Sequence, residues 1–333
     1  MVVGLFLSLI LGITHHAAAQ ESIPANVQAA LQKDSLTILI TDSGLGGLSV
    51  CGAVETNAQE LKANKTIHLI FCNALPEANF GYNNIQSEQK KAAVFTDALT
   101  GMVQWYHPDI ILIACNTLSV VYPETEYSKI STAPVLGIVG LGADLIGQKM
   151  KTDTSSSVII FGTETTIAAN SHKTLLEAKG ISAARIIPEA CADLAGEIQS
   201  NPASDIVENM INMYVSDAVS QIPGSGEKKI YAGFCCTHYG FCSSTFLKAF
   251  NAAGVKNVEI INPNDEMARI IFTGTVKNKF PSTLVTVTVV SRAPLSKEET
   301  SSISSLLEHN SPKTAAALRM YEYKQDLFRY VKE

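Results

Sequence analysis

Two cysteines each follow a predicted β-strand, in an arrangement that suits proton transfer. Cys115 closes the run "DIILIAC", and Cys236 closes the run "KKIYAGFCC". A thiolate can remove a proton from a carbon atom and a thiol can deliver one, provided that their pKa values lie near the working pH. If the two cysteines face each other across a small ligand, one removes a proton and the other returns one to the opposite face. The product of that exchange is the mirror image of the substrate.

The residues beside these cysteines suit a small ligand that carries a carboxylate. Asn116 and Thr117 follow the first cysteine where a helix is predicted to begin. The free N–H groups of a helix N-terminus would bind an anion and lower the pKa of the thiol. Thr237 occupies the equivalent place after the second cysteine, and His238 could hold or tune that thiol.

The same residues leave other interpretations open. A lone Cys115 is also typical of a small buried hydrophobe. A Cys–His nucleophile for acyl transfer would leave that first cysteine without a role. An amino-acid binding protein that kept the cleft without turnover is the alternative from outside the enzymes. A zinc site would have crowded ligands without a C-x-x-C pair. Those ligands would be Cys235, Cys236, His238 and Cys242.

A glycine-rich turn, "DSGLGG", follows the first predicted strand. It opens with Asp42 and Ser43, and its glycines would let the backbone approach a ligand closely. A dinucleotide-binding turn would read G-x-G-x-x-G, and Gly44, Gly46 and Gly47 do not supply that spacing. The turn therefore gives no indication of a nicotinamide or flavin cofactor. Taken alone, its aspartate is equally typical of a helix N-cap.

Runs of apolar and β-branched residues alternate with helix-period segments along most of the chain. Such runs are typical of strands buried on both faces of a parallel sheet, and the alternation predicts an α/β fold. Each half has two strands that end in small polar residues, and one of the two carries a cysteine. Because ligands of open α/β sheets bind beyond the carboxyl ends of strands, we expect two similar doubly wound parallel-sheet domains with the active site in the cleft between them. The predicted strands lie at 36–41, 66–71, 109–114, 133–139, 157–162, 184–189, 228–234 and 257–263.

Composition excludes several classes of protein. The chain has 333 residues, a net charge of −6 and no basic run, which disfavours a nucleic-acid binder. Apolar residues make up 46% of the chain, enough for a large core in two domains. The cysteines are seven in number and irregularly spaced, so they do not indicate a disulfide framework, and at least one must be a free thiol.

The N-terminus carries a predicted export signal. "VVGLFLSLILGI" is an apolar run too short to span a bilayer, and "AAAQ" supplies a pattern for cleavage after Ala19. Residues 1–19 are therefore predicted to be a signal peptide, and the mature protein to be periplasmic or secreted without membrane association. No Lys or Arg precedes the apolar run. The alternative is that the run is a buried helix, or that the start codon has been assigned too far upstream. The protein would then be cytoplasmic.

Three motifs in order, "ITDSGLGGLSV", "ACNT" and "CTHY", resemble the cofactor-independent glutamate racemases of the aspartate/glutamate racemase superfamily. The resemblance covers residues 36–270. It implies two similar α/β domains that enclose glutamate, and a pair of cysteines that act without pyridoxal phosphate or metal. It also implies a link to the D-glutamate used in peptidoglycan biosynthesis of the cell wall.

The resemblance implies a role for each matched residue. Cys115 and Cys236 would be the acid/base pair. Asp42 would assist the first of them and His238 the second, and Glu197 would be a further acidic helper. The residues that bind the substrate would be Ser43, Tyr82, Asn83, Asn116, Thr117, Thr163 and Thr237, with Thr165 as a weaker match.

The chain also departs from the family pattern. A Pro-Tyr-Gly segment that contributes to substrate binding reads "FGYNN" here, so Tyr82 is kept and Asn83 replaces the glycine. Cys235 precedes the second catalytic cysteine, and Gly240 follows "CTHY" in place of proline. Glutamate is therefore the expected substrate, with aspartate or another amino acid as the alternative.

The resemblance further implies how the two halves are assembled. The first domain is predicted to comprise residues 35–135 and 245–333, because the chain returns to it, and the second to comprise residues 136–244. Residues 281–333 are expected to add a strand, "TLVTVTVV", and amphipathic helices that end in "YEYKQDLFRYVKE". The expected partner is a small-molecule amino acid, no nucleic acid is expected, and a homodimer is compatible with the sequence.

Overall fold

The computed structural model describes residues 24–331, in which the strands form two parallel sheets. The predicted signal peptide at 1–19 lies outside the described residues. All the strands predicted up to residue 263 are present, as is the one predicted near 284. The strands are β1 (Ser35–Asp42), β2 (Thr66–Asn73), β3 (Ile110–Ile113), β4 (Val135–Gly137), β5 (Ser157–Gly162), β6 (Ile186–Ala190), β7 (Ile230–Cys235), β8 (Val258–Ile261), β9 (Leu284–Ser291) and β10 (Glu322–Tyr323).

The first sheet has six strands in the order β10-β9-β2-β1-β3-β4, and every neighbouring pair is parallel. Its central strand β1 alternates between two apolar cores. Ile38 and Ile40 pack into the core on one face, and Leu39 packs into the core on the other. Because both faces are covered, the strand reads as a continuous apolar run.

The second sheet has four parallel strands in the order β6-β5-β7-β8. It also has a core on each face. Ile159 and Phe161 of β5 belong to one core, and Val158 and Ile160 belong to the other. The predicted fold class, two doubly wound parallel sheets in one α/β chain, is confirmed.

Helices connect the strands and cover both faces of each sheet. No helix within residues 24–331 combines the length and the apolar character needed to cross a bilayer. The helices are α1 (Ala25–Leu31), α2 (Leu48–Leu61), α3 (Glu88–Tyr106), α4 (Asn116–Val121), α5 (Tyr127–Ile130), α6 (Ile138–Thr152), α7 (Glu164–Ala168), α8 (Ser171–Ala178), α9 (Leu194–Ser200), α10 (Asp205–Ser220), α11 (Ser243–Ala252), α12 (Pro263–Ile270), α13 (Lys297–Leu307) and α14 (Pro312–Arg319).

The predicted domain boundaries assign β4 to the second domain and β8 to the first, but each strand lies in the other sheet. Strand β4 pairs with β3, so the first sheet extends past residue 135. Strand β8 pairs with β7, so the chain leaves the second sheet after Ile261 rather than at residue 245. Both strands lie at sheet edges, and the sequence of an edge strand does not reveal which sheet it joins.

The C-terminal segment is part of the first sheet and its helical layer. Strand β9 pairs with β2 over its full length, from Thr66↔Leu284 to Asn73↔Ser291. Helices α13 and α14 follow, as predicted. The last part of the chain is not the amphipathic helix that was expected, because β10 pairs with β9, and Leu327 and Phe328 are buried in a core of the first sheet.

Candidate active site

A cavity of about 400 Å³ lies between the two sheets, at the carboxyl ends of their strands. Residues that follow β1 and β3 line it from one side, and residues that follow β5 and β7 line it from the other. The structure therefore brings together residues far apart in the chain, as the cleft hypothesis requires. The predicted site residues on its lining are Asp42, Ser43, Tyr82, Asn83, Cys115, Asn116, Thr117, Thr163, Glu197, Cys236, Thr237 and His238.

Cys115 is the N-cap residue of helix α4. Its Sγ accepts a hydrogen bond from the N–H of Leu118 at 3.4 Å and lies 3.2 Å from Ser43 Oγ. The expected lowering of the thiol pKa is wrong. Burial, reinforced by the charge of Asp42, raises the pKa of Cys115 to about 12 and outweighs both hydrogen bonds. The helix has only six residues, so its dipole is small.

Cys236 lies beside the histidine that was predicted to assist it. Its Sγ is 3.7 Å from His238 Nδ1, and both side chains are buried. Burial raises the pKa of the thiol well above its ordinary value, and a hydrogen bond from the backbone of His238 opposes that effect. Burial also lowers the pKa of the imidazole. The pair is therefore a neutral thiol beside a neutral imidazole that can accept its proton.

Asp42 was predicted to assist Cys115, but its side chain hydrogen-bonds to the turn after β1 and to the loop after β7. Its Oδ2 accepts from Thr237 Oγ1 at 2.7 Å, and its Oδ1 accepts from the N–H of Gly44 at 3.2 Å. Asp42 thus connects the end of β1 to the residue after Cys236, and its charge raises the pKa of both Cys115 and Cys236.

The glycines of the "DSGLGG" turn make room for protein side chains. A Cβ on Gly46 would overlap Thr237 Oγ1 and lie 2.7 Å from His238 Nδ1. A Cβ on Gly47 would lie 2.8 Å from Asp42 Oδ2. The close approach of this backbone is therefore, at Gly46, an approach to the loop that carries the second cysteine.

Threonines from the two halves meet where helices α4 and α7 begin. Thr117 Oγ1 lies 2.8 Å from Thr163 Oγ1 and 3.3 Å from Thr166 Oγ1. Thr163 is the N-cap residue of α7. Thr165, the weaker match, is not on the cavity lining, and its hydroxyl instead accepts a hydrogen bond from the buried Lys91 at 3.0 Å.

Two buried polar side chains on the lining have no hydrogen-bond partner. The amide of Asn116 is unpartnered at both its oxygen and its nitrogen, and so is the hydroxyl of Tyr82. A buried polar group without a partner costs free energy, so such groups indicate where a ligand supplies the missing bonds. Asn83, by contrast, is exposed at the edge of the cavity.

Two residues that connect His238 to the C-terminal segment were missed by the sequence analysis. Glu197 lines the cavity half-buried, but the residue that contacts His238 is Gln199, whose Oε1 lies 3.0 Å from Nε2 of the imidazole. Gln199 Nε2 donates in turn to Glu299 Oε1 at 2.6 Å. The only sequence signal for Gln199 was that this polar residue follows the apolar Ile198 on the buried side of α9. No sequence feature indicated that Glu299 would reach the site.

The cysteines do not form the alternative zinc site. In residues 24–331 no group of three or more metal-binding side chains comes together, and all seven cysteines are buried free thiols. Cys235 is the last residue of β7 and pairs with Gly162. Cys242 Sγ donates to the carbonyl of Pro202 at 3.5 Å, in agreement with a structural role.

The charged residues on the lining are acidic. The described lining contains five carboxylates and neither lysine nor arginine. The histidine has a lowered pKa and adds no positive charge near neutral pH. The carboxylate of a ligand must therefore find its hydrogen-bond donors in neutral amide, hydroxyl and backbone groups, whereas an ammonium group can donate to the carboxylates of the lining. The carboxylates belong to Asp42, Glu164, Asp193, Glu197 and Glu299.

Comparison with known proteins gives a consistent family likeness. The chain matches no protein-family profile. It is 25% identical over 228 residues to a glutamate racemase of Chlorobium phaeobacteroides, covering 68% of this chain and 71% of that protein. It is 26% identical over 204 residues to a glutamate racemase of Chlorobaculum tepidum, covering 60% and 66%. The aligned region thus spans about two thirds of the length of these relatives.

Solved structures show the same likeness in the fold. A glutamate racemase of Francisella tularensis in complex with D-glutamate superimposes with a TM-score of 0.62 at 18% identity, covering 83% of this chain and 94% of that one. The RacE1 glutamate racemase of Bacillus anthracis gives 0.59 at 20% identity, covering 87% and 96%. The chain therefore resembles glutamate racemases in sequence, and its two-sheet architecture is that of their structures.

Proposed function

We propose that the protein is a cofactor-independent amino-acid racemase that interconverts L- and D-glutamate, with Cys115 and Cys236 as its acid/base pair. One observation carries the proposal. The two cysteines belong to different sheets, follow strands at their carboxyl ends and line the same cavity. Likeness to glutamate racemases supports the coarser assignment, an amino-acid racemase, independently of that geometry.

The proposed reaction exchanges one proton on each face of the α-carbon. In one direction the Cys115 thiolate takes the α-proton while the S–H of Cys236 delivers a proton to the opposite face. Cys115 ends as the thiol and Cys236 as the thiolate, so the atoms and charges balance. The reverse direction starts from the exchanged protonation states. In that reverse direction Cys236 must start as the thiolate, and His238 Nδ1, 3.7 Å from its sulfur, can take up the thiol proton to form it.

The raised thiol pKa values imply that the substrate helps to form the thiolate. Both cysteines have a raised pKa and favour the protonated form at neutral pH, because burial disfavours the charged form. The ammonium group of a bound amino acid brings a positive charge close to the sulfur atoms and favours ionisation. The Nδ2 group of Asn116 and the hydroxyl of Tyr82 would then donate hydrogen bonds to the carboxylate oxygens of that ligand.

Glutamate is the substrate that we propose first, because the similar proteins are glutamate racemases. The solved structures include the Francisella tularensis enzyme in complex with D-glutamate and the Escherichia coli enzyme in complex with L-glutamate. The acidic lining favours a second candidate, racemisation of an amino acid without a side-chain carboxylate. Five carboxylates and no described lysine or arginine surround the cavity, so a second negative charge on the ligand meets repulsion. Asn83, which replaces the glycine of the family pattern, lies on the same lining.

Proton NMR in deuterated water tests the proposal. The chain without residues 1–19 is incubated with reductant and with the L- and D-forms of glutamate, aspartate and glutamine in turn. We expect the α-proton signal of both glutamate enantiomers to disappear. Cys115→Ser and Cys236→Ser should each abolish the interconversion, because each removes one of the two acid/base groups.

The outcomes separate the competing functions. Exchange confined to glutamine would support the second candidate, and exchange with aspartate alone would assign the alternative acidic substrate. Binding of an amino acid without exchange, in protein shown to be folded and reduced, would contradict racemisation and identify a binding protein. A covalent acyl intermediate on Cys236 that forms equally well in Cys115→Ser would indicate a hydrolase instead.

A further inference from the structure

The side-chain amide of Gln199 lies between His238 and the C-terminal segment of the chain. Its Oε1 accepts from the N–H of Leu45 at 2.7 Å and lies 3.0 Å from His238 Nε2. Its Nε2 donates to Glu299 Oε1 at 2.6 Å. The amide is buried, so these contacts are made without competition from bulk water.

The orientation of this amide is fixed by its neighbours. A backbone N–H can only donate, so the N–H of Leu45 requires an acceptor and selects Oε1. A carboxylate only accepts, so Glu299 requires a donor and selects Nε2. A flipped amide would place donor against donor on one side and acceptor against acceptor on the other.

The orientation of the amide determines the tautomer of the histidine. Because Gln199 presents an oxygen to His238 Nε2, that ring nitrogen must carry the proton. In the neutral imidazole the other nitrogen, Nδ1, then has a free lone pair. That lone pair is on the atom 3.7 Å from Cys236 Sγ.

We propose that Gln199 and Glu299 are positioning residues that hold His238 as the Nε2–H tautomer, so that unprotonated Nδ1 faces Cys236 and can receive its proton. The C-terminal segment thereby takes part in the active site through Glu299 of α13. The effect of these residues on turnover rests on the proposed racemase function. The tautomer itself is a property of the protein without substrate.

The tautomer is measured by two-bond ¹H–¹⁵N correlation NMR on protein labelled with ¹⁵N-histidine. His238 is assigned by the signal that is lost in His238→Gln, and the buried His172 serves as an internal reference. We expect Nδ1 of His238 to have the chemical shift of an unprotonated ring nitrogen and Nε2 that of a protonated one. A protonated Nδ1 in the wild-type protein would overturn the proposal, whatever its catalytic activity.

Variants link the tautomer to turnover. Gln199→Leu removes the acceptor, and we expect a mixture of tautomers with kcat reduced about 10- to 100-fold, as is typical when an outer hydrogen-bond partner is lost, and with KM unchanged. Glu299→Leu should have the same effect because it releases the amide. Glu299→Gln keeps an acceptor oxygen and should retain the wild-type spectrum and rate.

The exposed neighbour Glu298 supplies the matched control, since Glu298→Leu makes the same change on the same helix outside the cavity. If folded Gln199→Leu keeps both the wild-type spectrum and the wild-type kcat, the two residues do not position the histidine. If the wild-type protein exchanges no α-proton with any amino acid, the proposed function fails, and the spectrum alone then decides the tautomer.

Discussion

At the scale of single residues, Cys115 contacts Ser43 Oγ and accepts from the N–H of Leu118, and both contacts lower the pKa of its thiol, yet burial raises that pKa to about 12. The same aspartate that joins the two turns opposes ionisation, because its charge lies close to the sulfur. The local sequence indicated a reactive thiol, whereas burial produces one whose charged form is disfavoured. Reactivity at this position therefore depends on burial as well as on the hydrogen bonds to the sulfur.

The charge of Asp42 can be tested directly. In Asp42→Asn the pKa of the Cys115 thiol should fall, so alkylation of that thiol by iodoacetamide at pH 8 should accelerate about 3- to 10-fold, equivalent to about half to one pKa unit. Peptide mass spectrometry measures the modification at this one cysteine. Racemisation should nevertheless slow, because the hydrogen bond to Thr237 is weakened.

Asp193→Asn is the matched control for that experiment. Asp193 also lines the cavity, but its charge does not affect the Cys115 thiol, and asparagine tolerates its left-handed backbone conformation, with φ of 59°. Alkylation at the wild-type rate in Asp42→Asn would contradict the electrostatic account.

At the scale of elements, the glycine backbone of the turn after β1 packs directly against side chains of the loop after β7. Gly46→Ala should displace Thr237 and His238, because the new methyl group would overlap the first and crowd Nδ1 of the second. We expect a loss of about 1–3 kcal/mol in the free energy of unfolding, as for other overpacked sites, together with a lower kcat. Urea unfolding and the α-proton exchange assay measure the two effects.

Gly140→Ala is the control for the added methyl group. Gly140 is exposed on α6, and a Cβ there meets nothing within 4 Å. This change should raise the free energy of unfolding by about 0.4–1 kcal/mol because it restricts the unfolded chain. If Gly46→Ala and Gly140→Ala had the same free energy of unfolding, the turn after β1 would have room for a methyl group and the packing argument would be wrong.

The C-terminal helices are attached to the first domain by a buried carboxylate. Glu55, on α2, has no exposed surface and accepts from the N–H groups of Lys313 and Thr314 at 3.1 and 2.8 Å, and from the hydroxyl of Thr314 at 2.8 Å. Glu55→Ala leaves the first N–H groups of α14 unpartnered and should cost about 1–3 kcal/mol in the free energy of unfolding. Thermal and urea unfolding measure this loss.

Glu60→Ala provides the comparison on the same helix. Glu60 is exposed, so its removal should change the free energy of unfolding by less than about 0.5 kcal/mol. If both variants are equally stable, α14 is held to α2 by apolar packing alone.

At the scale of the whole molecule, all seven cysteines are buried and all have a raised pKa. Burial is the largest cause in each case, because a thiolate loses its hydration inside the protein. In the unfolded chain the thiols ionise near their ordinary pKa of about 8.5. The unfolded state therefore binds fewer protons than the folded state at higher pH.

The sign of the pH effect on stability follows from that difference. The stability contributed by each thiol is fully present below about pH 8.5 and is lost as the pH rises above it, by up to about 1.4 kcal/mol per pH unit for each thiol. We expect the urea midpoint, measured with reductant, to fall steeply between pH 8 and pH 10. Cys51→Ala, away from the cavity lining, should show a shallower fall. A midpoint independent of pH over that range would contradict this expectation.

The sequence by itself determined the elements and the residue types of the site. Parallel strands buried on both faces are continuous apolar runs, so β1 through β8 could be recognised locally. Because such strands deliver their next residues to one edge of a sheet, Cys115 and Cys236 could be predicted to meet across a cleft. The fold class and the position of these two cysteines on one cavity follow from these two local rules.

Only the tertiary structure decided which side chains touch. Gln199, rather than Glu197, contacts His238, and Glu299 reaches the site from one hundred residues further along the chain. The tertiary structure also decided which sheets β4 and β8 join. It likewise produced the burial that raises the pKa values of the thiols. These features depend on distances between segments remote in sequence, and a local pattern of residue types carries no information about such distances.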